Sequence, residues 1–264
     1  MPTSTDRIEA LALELLGRER AREARGPITA NEWPNLTSAD AYRIQDASRR
    51  YREERGERVI GVKMGLTSLA KQKSMNVDEP AVAWVTDAMQ QPLNVPVQTE
   101  RFIHPRVEPE LCFRLGTALG GPGVTKEDAA AAVDAVVAGA DVIDSRYTGF
   151  AFTLPDVIAD NASSAAFILG PIVRSVAAVD LELEAVLVEV NGVVVDSATG
   201  AAVLGHPLEA VAAAANLLGA RGLALAEGDW VLAGAMTEAV ALAQKQTISF
   251  HFSTLGSIHI TQGE

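Results

Sequence analysis

The chain has one cysteine and a deficit of positive charge. Cys112 is the single cysteine among 264 residues, so neither a disulfide framework nor a thiolate zinc cluster can form within the chain. Lysine and arginine number 22 against 34 aspartates and glutamates, which gives a formal net charge of -12. Nucleic-acid partners usually require a basic stripe, so we expect none. A small anionic substrate stays compatible, because a local cation can reverse the field inside a cleft.

Long apolar runs are also missing. No run of about 18 apolar residues occurs, and we therefore expect no membrane span. The N-terminal stretch MPTSTDRIEALALELLGRER lacks the basic start and the long apolar core of a signal peptide. The hydrophobic fraction of 48% is nevertheless ample for a folded core. These features predict a soluble cytoplasmic protein.

Helical patterns dominate the first 56 residues, and strand patterns dominate the rest. Apolar residues at helical spacing predict a helix over residues 8–25, and the capping-box pair Thr37 and Asp40 predicts a second helix that runs to about residue 56. We predict that residues 1–56 form a helical segment packed on the core. Residues 57–264 are predicted to form one β-rich catalytic domain.

The strands do not alternate regularly with helices. The Asn191-Gly192 dipeptide between two apolar runs predicts a hairpin, and the capping box at Thr125 predicts an alanine-rich helix to about Ala138. This order of elements favours an α+β fold with a mixed or antiparallel sheet over a doubly wound parallel sheet.

The stretch RVEPELCF, residues 106–113, carries two carboxylates on one predicted strand face. Glu108 and Glu110 are two residues apart, so their side chains point to the same side of a strand. Hard divalent cations prefer carboxylate oxygen ligands, and Asp141 in the stretch DVIDSRY could supply a third. Taken alone, the Glu-x-Glu spacing favours an ordinary exposed strand face over a metal site.

Further candidates carry opposite charges or lie in polar stretches. Lys63 lies between glycines in GVKMGLTS, where it is either an edge-strand lysine or an anion receptor. Arg146 could form a structural ion pair with Asp144. Asp160 and Ser163 belong to FTLPDVIADNASS, whose dense polar residues face a cleft or satisfy a buried turn.

Seven stretches in order give the chain a family resemblance: GVKMGLTS, HPRVEPELCF, GPGVT, DVIDSRY, LPDVIADNASS, GAAVLGHPL and LGSIHI. Together they resemble the 4-oxalocrotonate decarboxylases and 2-oxopent-4-enoate hydratases of aromatic meta-cleavage pathways, within the fumarylacetoacetate hydrolase superfamily. The resemblance covers roughly residues 35–262. It implies a mixed β-roll or barrel-like core with flanking helices, in agreement with the strand-rich pattern.

The resemblance also implies a magnesium or manganese site. Its three carboxylates fall on Glu108, Glu110 and Asp141, although the family usually has glutamate at the third position. The substrate-binding lysine falls on Lys63, and the serine of the NAS segment falls on Ser163.

Three further residues complete the predicted site. We assign Arg146 to the catalytic group, with Lys63 and Ser163. Leu111 and Asp160 are assigned to the substrate-binding group, which also includes Lys63 and Ser163.

The resemblance implies decarboxylation of 2-oxohex-3-enedioate to 2-hydroxypenta-2,4-dienoate. Hydration of that dienoate is the alternative, but hydratases carry an acidic residue where VDEPAVAW has Ala81. A carbon–carbon hydrolase would need a His–Glu pair, for which His104 and Glu108 are candidates. A non-catalytic partner protein is a third reading. We expect a small 2-oxo-acid substrate and a homo-oligomer, with a cognate dienoate hydratase as candidate partner.

Overall fold

Two β-sheets organise the chain in a computed structural model, which describes residues 4–68, 72, 77 and 79–263. The strands are β1 (Val59–Gly65), β2 (Ala81–Thr86), β3 (Gln90–Gln91), β4 (Arg106–Leu115), β5 (Val133–Ile143), β6 (Ser164–Leu169), β7 (Ala185–Val190), β8 (Val193–Thr199), β9 (Trp230–Ala235), β10 (Val240–Ala241), β11 (Ile248–Phe252) and β12 (Gly256–Ile260). The helices are α1 (Ser4–Ala21), α2 (Ile28–Asn31), α3 (Ser38–Glu54), α4 (Lys126–Ala132), α5 (Leu154–Ala159) and α6 (Pro207–Gly219).

The larger sheet is mixed and curls into a half-barrel. Its strand order is β2-β1-β9-β4-β5-β6-β3, and β10 pairs with β4 outside this path. The pairs β1–β9 and β3–β6 are parallel, whereas β4 lies antiparallel to β5, β9 and β10. The smaller sheet has the order β12-β11-β7-β8. The predicted α+β class with a mixed sheet is therefore confirmed.

The predicted local signals outside the site are mostly confirmed. Thr37 is the N-cap of α3 and accepts a hydrogen bond from the Asp40 backbone N–H. Asn191 and Gly192 form the turn between β7 and β8, and both have positive φ. The helix predicted for residues 8–25 is α1, which lies four residues earlier in the chain.

The long alanine-rich helix is wrong beyond Ala132. From Val133 onward the chain is β5, which pairs with β4 along its length and with β6 at its C-terminal end. Alanines favour a helix locally, but β5 lies between two strands and is almost entirely buried. The pairing and burial of its valines outweigh this local helix preference.

The N-terminal helices form a hydrophobic cluster of their own. Apolar residues of α1 and α3 pack with Ala81, Tyr147, Ile158 and Ala159 from the following part of the chain. Gln45 of α3 also donates hydrogen bonds to the backbone carbonyls of Val82 and Ile158. The division of the chain at residue 56 stays a prediction.

One apolar segment bears on the membrane prediction. Residues 200–219, which contain α6, are long and apolar enough to cross a membrane by length and composition alone, and half of them are buried inside the protein. Ala210, Val211 and Leu218 of this helix are fully buried in the main core. Packing against the core therefore accounts for the apolar composition of α6.

Candidate metal and substrate site

Three carboxylates converge on one face of the larger sheet. Glu108 and Glu110 point to the same side of β4, and Asp141 of β5 is the antiparallel neighbour of Glu108. Ligand oxygens of the three residues all lie within 4.8 Å of one another. Glu108 is 8% exposed, and the other two are fully buried. The three carboxylates predicted from the sequence therefore do lie together. Strand alternation brings Glu108 and Glu110 to one face, and the register of β4 with β5 adds Asp141.

Glu110 has an unfavourable electrostatic environment within the cluster. Its Oε2 accepts a hydrogen bond of 2.8 Å from the Gly234 backbone N–H, whereas the buried Oε1 has no hydrogen-bond partner among the described residues. Burial raises the pKa of Glu110 well above its usual range, and the charges of Asp141 and Glu108 add to this effect. A hard divalent cation among these oxygens would remove both the repulsion and the unsatisfied acceptor. The residues present therefore fit a magnesium or manganese ion.

Gly234 is required at its position beside Glu110. Its φ is +102°, and a Cβ there would lie 2.0 Å from Oγ1 of Thr67. The absence of a side chain lets the backbone N–H approach the carboxylate closely.

Lys63 is the cation of the cluster. It lies on β1, is 2% exposed, and its Nζ forms an ion pair with Oδ2 of Asp141. Burial lowers the pKa of Lys63, but the charges of Asp141, Glu108 and Glu110 outweigh it, and the pKa lies above its usual value. Lys63 is therefore an ammonium group at neutral pH. It is not an edge-strand lysine, because β1 pairs with β2 on one side and with β9 on the other.

A cavity of about 200 Å³ opens onto this cluster. Lys63, Glu108 and Ser163 line it together with Arg106 and Glu238. The rest of its described wall is mostly apolar, with Leu66, Ala81, Phe150, Phe152 and Val157 among the lining residues. A pocket with a few polar groups on an otherwise apolar wall suits a small organic acid.

The segment that presents Ser163 has a strained backbone. Asn161, Ala162 and Ser163 have φ values of 50°, 48° and 56°, and three successive non-glycine residues in this region are unusual. The Asn161 side chain holds the segment against β2 through two hydrogen bonds of 2.9 Å, to the N–H and the carbonyl of Trp84. Strain maintained by such contacts is typical of functional sites.

Arg146 and Asp160 form a buried pair behind the cavity. Arg146 Nε pairs with Oδ1 of Asp160, and Arg146 also donates to the carbonyls of Asp144, Asp160 and Ser164. Burial raises the pKa of Asp160 to about 6, against the opposing charge of Arg146. Neither residue is among those that line the cavity. The roles in catalysis and substrate binding that were assigned to these two residues stay predictions.

The two residues instead support the Ser163 segment. Ser163 Oγ donates a hydrogen bond of 3.2 Å to Oδ2 of Asp160. The predicted carboxylate pair of Asp144 with Arg146 is wrong, because the Asp144 carboxylate accepts from the backbone N–H groups of Ile103 and His104 at 2.8 and 2.7 Å.

Leu111 and His104 are not among the residues that line the cavity. The Leu111 side chain is fully buried in the main core, on the opposite face of β4 from Glu108 and Glu110, so it does not line the cavity. His104 Nε2 lies 2.8 Å from the carbonyl of Ser145, which makes it a donor there. Since His104 is not among the residues that line the cavity, its position weakens the His–Glu hydrolase interpretation.

Arg106, Phe150 and Glu238 are site residues that the sequence reasoning missed. The signal for Arg106 was available, because it precedes Glu108 by two residues and so shares its strand face. Phe150 ends a short 3-10 helix and Glu238 lies in a loop, and no spacing rule relates them to the carboxylates.

The fold and the site together define an α+β enzyme with a buried carboxylate cluster able to hold a metal ion. A family model described as fumarylacetoacetate (FAA) hydrolase C-terminal matches residues 59–261. The chain belongs to the fumarylacetoacetate hydrolase family, and the resemblance inferred from the seven stretches is confirmed.

Within this family, the chain is similar to decarboxylases and hydratases of known activity. A 4-oxalocrotonate decarboxylase of Pseudomonas putida is 44% identical over 228 residues, which cover 86% of each chain. A 2-hydroxyhexa-2,4-dienoate hydratase of Comamonas testosteroni is 36% identical over 255 residues, which cover 96% of each chain. The solved structure of 4-oxalocrotonate decarboxylase from Pseudomonas putida G7, complexed with magnesium and adipate, has a TM-score of 0.96 at 40% identity and covers 100% of this chain and 99% of that chain.

Proposed function

We propose that the protein decarboxylates 2-oxohex-3-enedioate (4-oxalocrotonate) to 2-hydroxypenta-2,4-dienoate in aromatic meta-cleavage catabolism. The observation that carries the proposal is the buried cluster of Glu108, Glu110, Asp141 and Lys63 at the base of a small cavity. The identity of 44% to a 4-oxalocrotonate decarboxylase supports the particular reaction.

Glu108, Glu110 and Asp141 would hold a magnesium or manganese ion. When bound, the ion supplies a Lewis acid that polarises the 2-oxo group of the substrate. Asp141 is one methylene shorter than the glutamate usual in the family, and its ion pair with Lys63 keeps its carboxylate oriented within the cluster.

Lys63 and Ser163 would bind the 2-oxo-acid end of the substrate. The Lys63 ammonium group can donate a hydrogen bond to the substrate carboxylate or to the oxygen on which negative charge develops. The Ser163 hydroxyl can donate to the same end, and Arg146 and Asp160 position it from behind the cavity. The apolar walls exclude water, which strengthens these electrostatic interactions.

The lining of the cavity favours decarboxylation over hydration. Ala81 is 1% exposed and lines the cavity, so it offers no proton at the place where the resembling hydratases carry an acid. Addition of water to the dienoate is the second candidate, for which the Glu238 carboxylate in the cavity wall is the available acid or base.

Product analysis separates the two reactions. The protein is incubated with 2-oxohex-3-enedioate, and in parallel with 2-hydroxypenta-2,4-dienoate, each with magnesium or with EDTA. Decarboxylation predicts magnesium-dependent release of carbon dioxide and accumulation of the dienoate. Rapid loss of dienoate absorbance without carbon dioxide release from the diacid would instead identify a hydratase.

We also infer a homo-oligomer that works in the cytoplasm beside a cognate dienoate hydratase. A hydratase would consume the unstable dienol product directly. Light scattering of the protein, alone and mixed with such a hydratase, tests both associations.

A further inference from the structure

A second cation, Arg106, lines the cavity beside the carboxylate cluster. The guanidinium carbon of Arg106 lies 4.3 Å from the centroid of the Phe150 ring, and both residues line the cavity. Arg106 forms no ion pair with any residue that the structure describes, although many other arginines of this acidic chain do. A half-buried arginine without a bound carboxylate, next to a substrate cavity, is a candidate receptor for a carboxylate of the substrate.

The distance along β4 between Arg106 and Glu108 of the carboxylate cluster matches the length of a small diacid. Arg106 and Glu108 share one strand face and are paired with Ile143 and Asp141 of β5. Residues two apart on a strand are about 7 Å apart along it. This is close to the length of an extended six-carbon diacid. The cavity therefore offers a cluster for one end of such a molecule and a guanidinium group for the other.

The Phe150 ring is held in place at a conformational cost. Phe150 has a φ of 59° and follows Gly149 with a φ of 65°, and a left-handed phenylalanine is uncommon. The ring also contacts His104, with centroids 4.8 Å apart, and His104 is in turn held by the Ser145 carbonyl at 2.8 Å. These contacts fix the ring under Arg106, so the guanidinium group is oriented before a ligand arrives.

We propose that Arg106, supported by Phe150, binds the far carboxylate of a 2-oxo diacid and selects diacids over monoacids. This inference rests on the proposed function and names the group that recognises C6. During the reaction the C5–C6 bond breaks, C6 leaves as neutral carbon dioxide, and the electron pair delocalises toward the C2 oxygen. Negative charge thus departs from Arg106 as the reaction proceeds. Arg106 therefore contributes to binding, and its removal should raise KM without lowering kcat.

The test uses two stable ligands that differ only at the far end. Binding of 2-oxohexanedioate and of 2-oxohexanoate is measured by calorimetry with saturating magnesium. A charge-assisted bidentate contact predicts that the wild-type protein prefers the diacid about 10- to 100-fold. Arg106→Gln should lose this preference through weaker diacid binding, with monoacid affinity unchanged. Arg106→Lys keeps a charge without the fork and should retain part of the preference.

Arg7→Gln is the matched control. The Arg7 guanidinium carbon lies 4.4 Å from the Trp33 ring centroid, in a similar stacking contact formed by the N-terminal helices. This variant loses the same charge and the same kind of contact, and it should keep the full preference for the diacid. Melting temperatures of the variants check that each is folded.

The results that would overturn the inference differ in whether they also contradict the proposed function. Equal wild-type affinity for the two acids, or an unchanged diacid preference in Arg106→Gln, would remove the role of Arg106 but leave the proposed function intact. Failure of the wild-type protein to bind either acid with magnesium would remove the proposed function and this inference together. If Arg106→Gln did not fold, the preference would be scored on Arg106→Lys, where full retention contradicts the proposal.

Discussion

Two buried clusters, each with both positive and negative side chains, lie on the two sides of the Ser163 segment. They differ in the ratio of carboxylates to cations. Among the described residues, the cavity cluster consists of the Lys63 cation and the carboxylates of Glu108, Glu110 and Asp141. The closed pair consists of Arg146 and Asp160, one cation and one carboxylate. Both groups are buried, yet among the residues that the structure describes only the cavity cluster has more carboxylates than cations.

Hydrogen bonding follows the same division. Around the closed pair, Asp160 also accepts from Ser145 and Ser163, and Arg146 donates to three backbone carbonyls. In the cavity cluster, Glu110 keeps a buried oxygen without a hydrogen-bond partner among the described residues. A balanced pair with satisfied hydrogen bonds leaves no buried charge uncompensated, whereas a surplus of buried negative charge is relieved by a bound cation or by a proton. Burial alone does not distinguish the two roles.

The largest expected effect comes from breaking the closed pair. Arg146→Gln leaves Asp160 buried without its counter-charge, and the free energy of unfolding should fall by about 3–5 kcal/mol. Urea denaturation in EDTA measures this loss. The control is Arg114→Gln. Both side chains of the Arg114–Asp134 pair are about half exposed, so its loss should lower the free energy of unfolding by less than about 1 kcal/mol.

Magnesium affinity provides the contrasting measurement for the same variant. Because Arg146 does not line the cavity, folded Arg146→Gln protein should bind magnesium as the wild type does. Unchanged stability of this variant would show that the pair is not structurally important. A selective loss of magnesium binding would place Arg146 in the metal site.

The next effect comes from removing one charge of the cavity cluster. Glu108→Gln should lower the decarboxylation rate at least about 100-fold, since loss of even an indirect metal contact often costs that much. Magnesium at 100 times its Kd should stabilise the wild type by about 2.7 kcal/mol and the variant much less. In EDTA the variant should be at least as stable as the wild type, because a like charge has been removed. Wild-type turnover in this variant would refute the metal assignment.

Glu184→Gln is the control for that experiment. Glu184 is also a buried glutamate, but it accepts hydrogen bonds from the backbone N–H and the hydroxyl of Thr254 at 2.8 and 2.7 Å. This substitution should lower stability in EDTA and leave both the magnesium effect and turnover unchanged. Comparison of the two variants would thereby distinguish a carboxylate that stabilises the fold, Glu184, from one that binds the metal ion, Glu108.

The smallest expected effect concerns the segment between the two groups. Ser163→Gly removes the hydroxyl but relieves a φ of 56°, so stability should change by less than about 1 kcal/mol while KM rises. Ser164→Gly is the neighbouring control with a φ of -61°, and it should cost about 1 kcal/mol and leave KM unchanged. Denaturation and steady-state kinetics measure both variants. Equal destabilisation by the two glycines would show that the left-handed backbone at Ser163 is not strained.

Local patterns predicted much of the fold around these groups. The alternation in RVEPELCF places Glu108 and Glu110 on one face, and the hairpin at Asn191-Gly192 follows from turn geometry. The prediction failed at β5, where alanines suggested a helix but pairing with β4 and β6 imposed a strand. It also failed for the partner of Arg146, because Asp160 is 14 residues away and reaches Arg146 only through the folded chain.

The sequence by itself determined which acidic residues share a strand face and, through seven ordered stretches, the family of the protein. Strand alternation is a short-range property, so two residues on one strand can be related without the rest of the fold. Only the tertiary structure decided that Lys63 forms an ion pair with Asp141, that Arg146 pairs with Asp160 away from the cavity, and that Arg106 stacks on Phe150. Those relations join distant parts of the chain, and sheet register, burial and backbone strain set them.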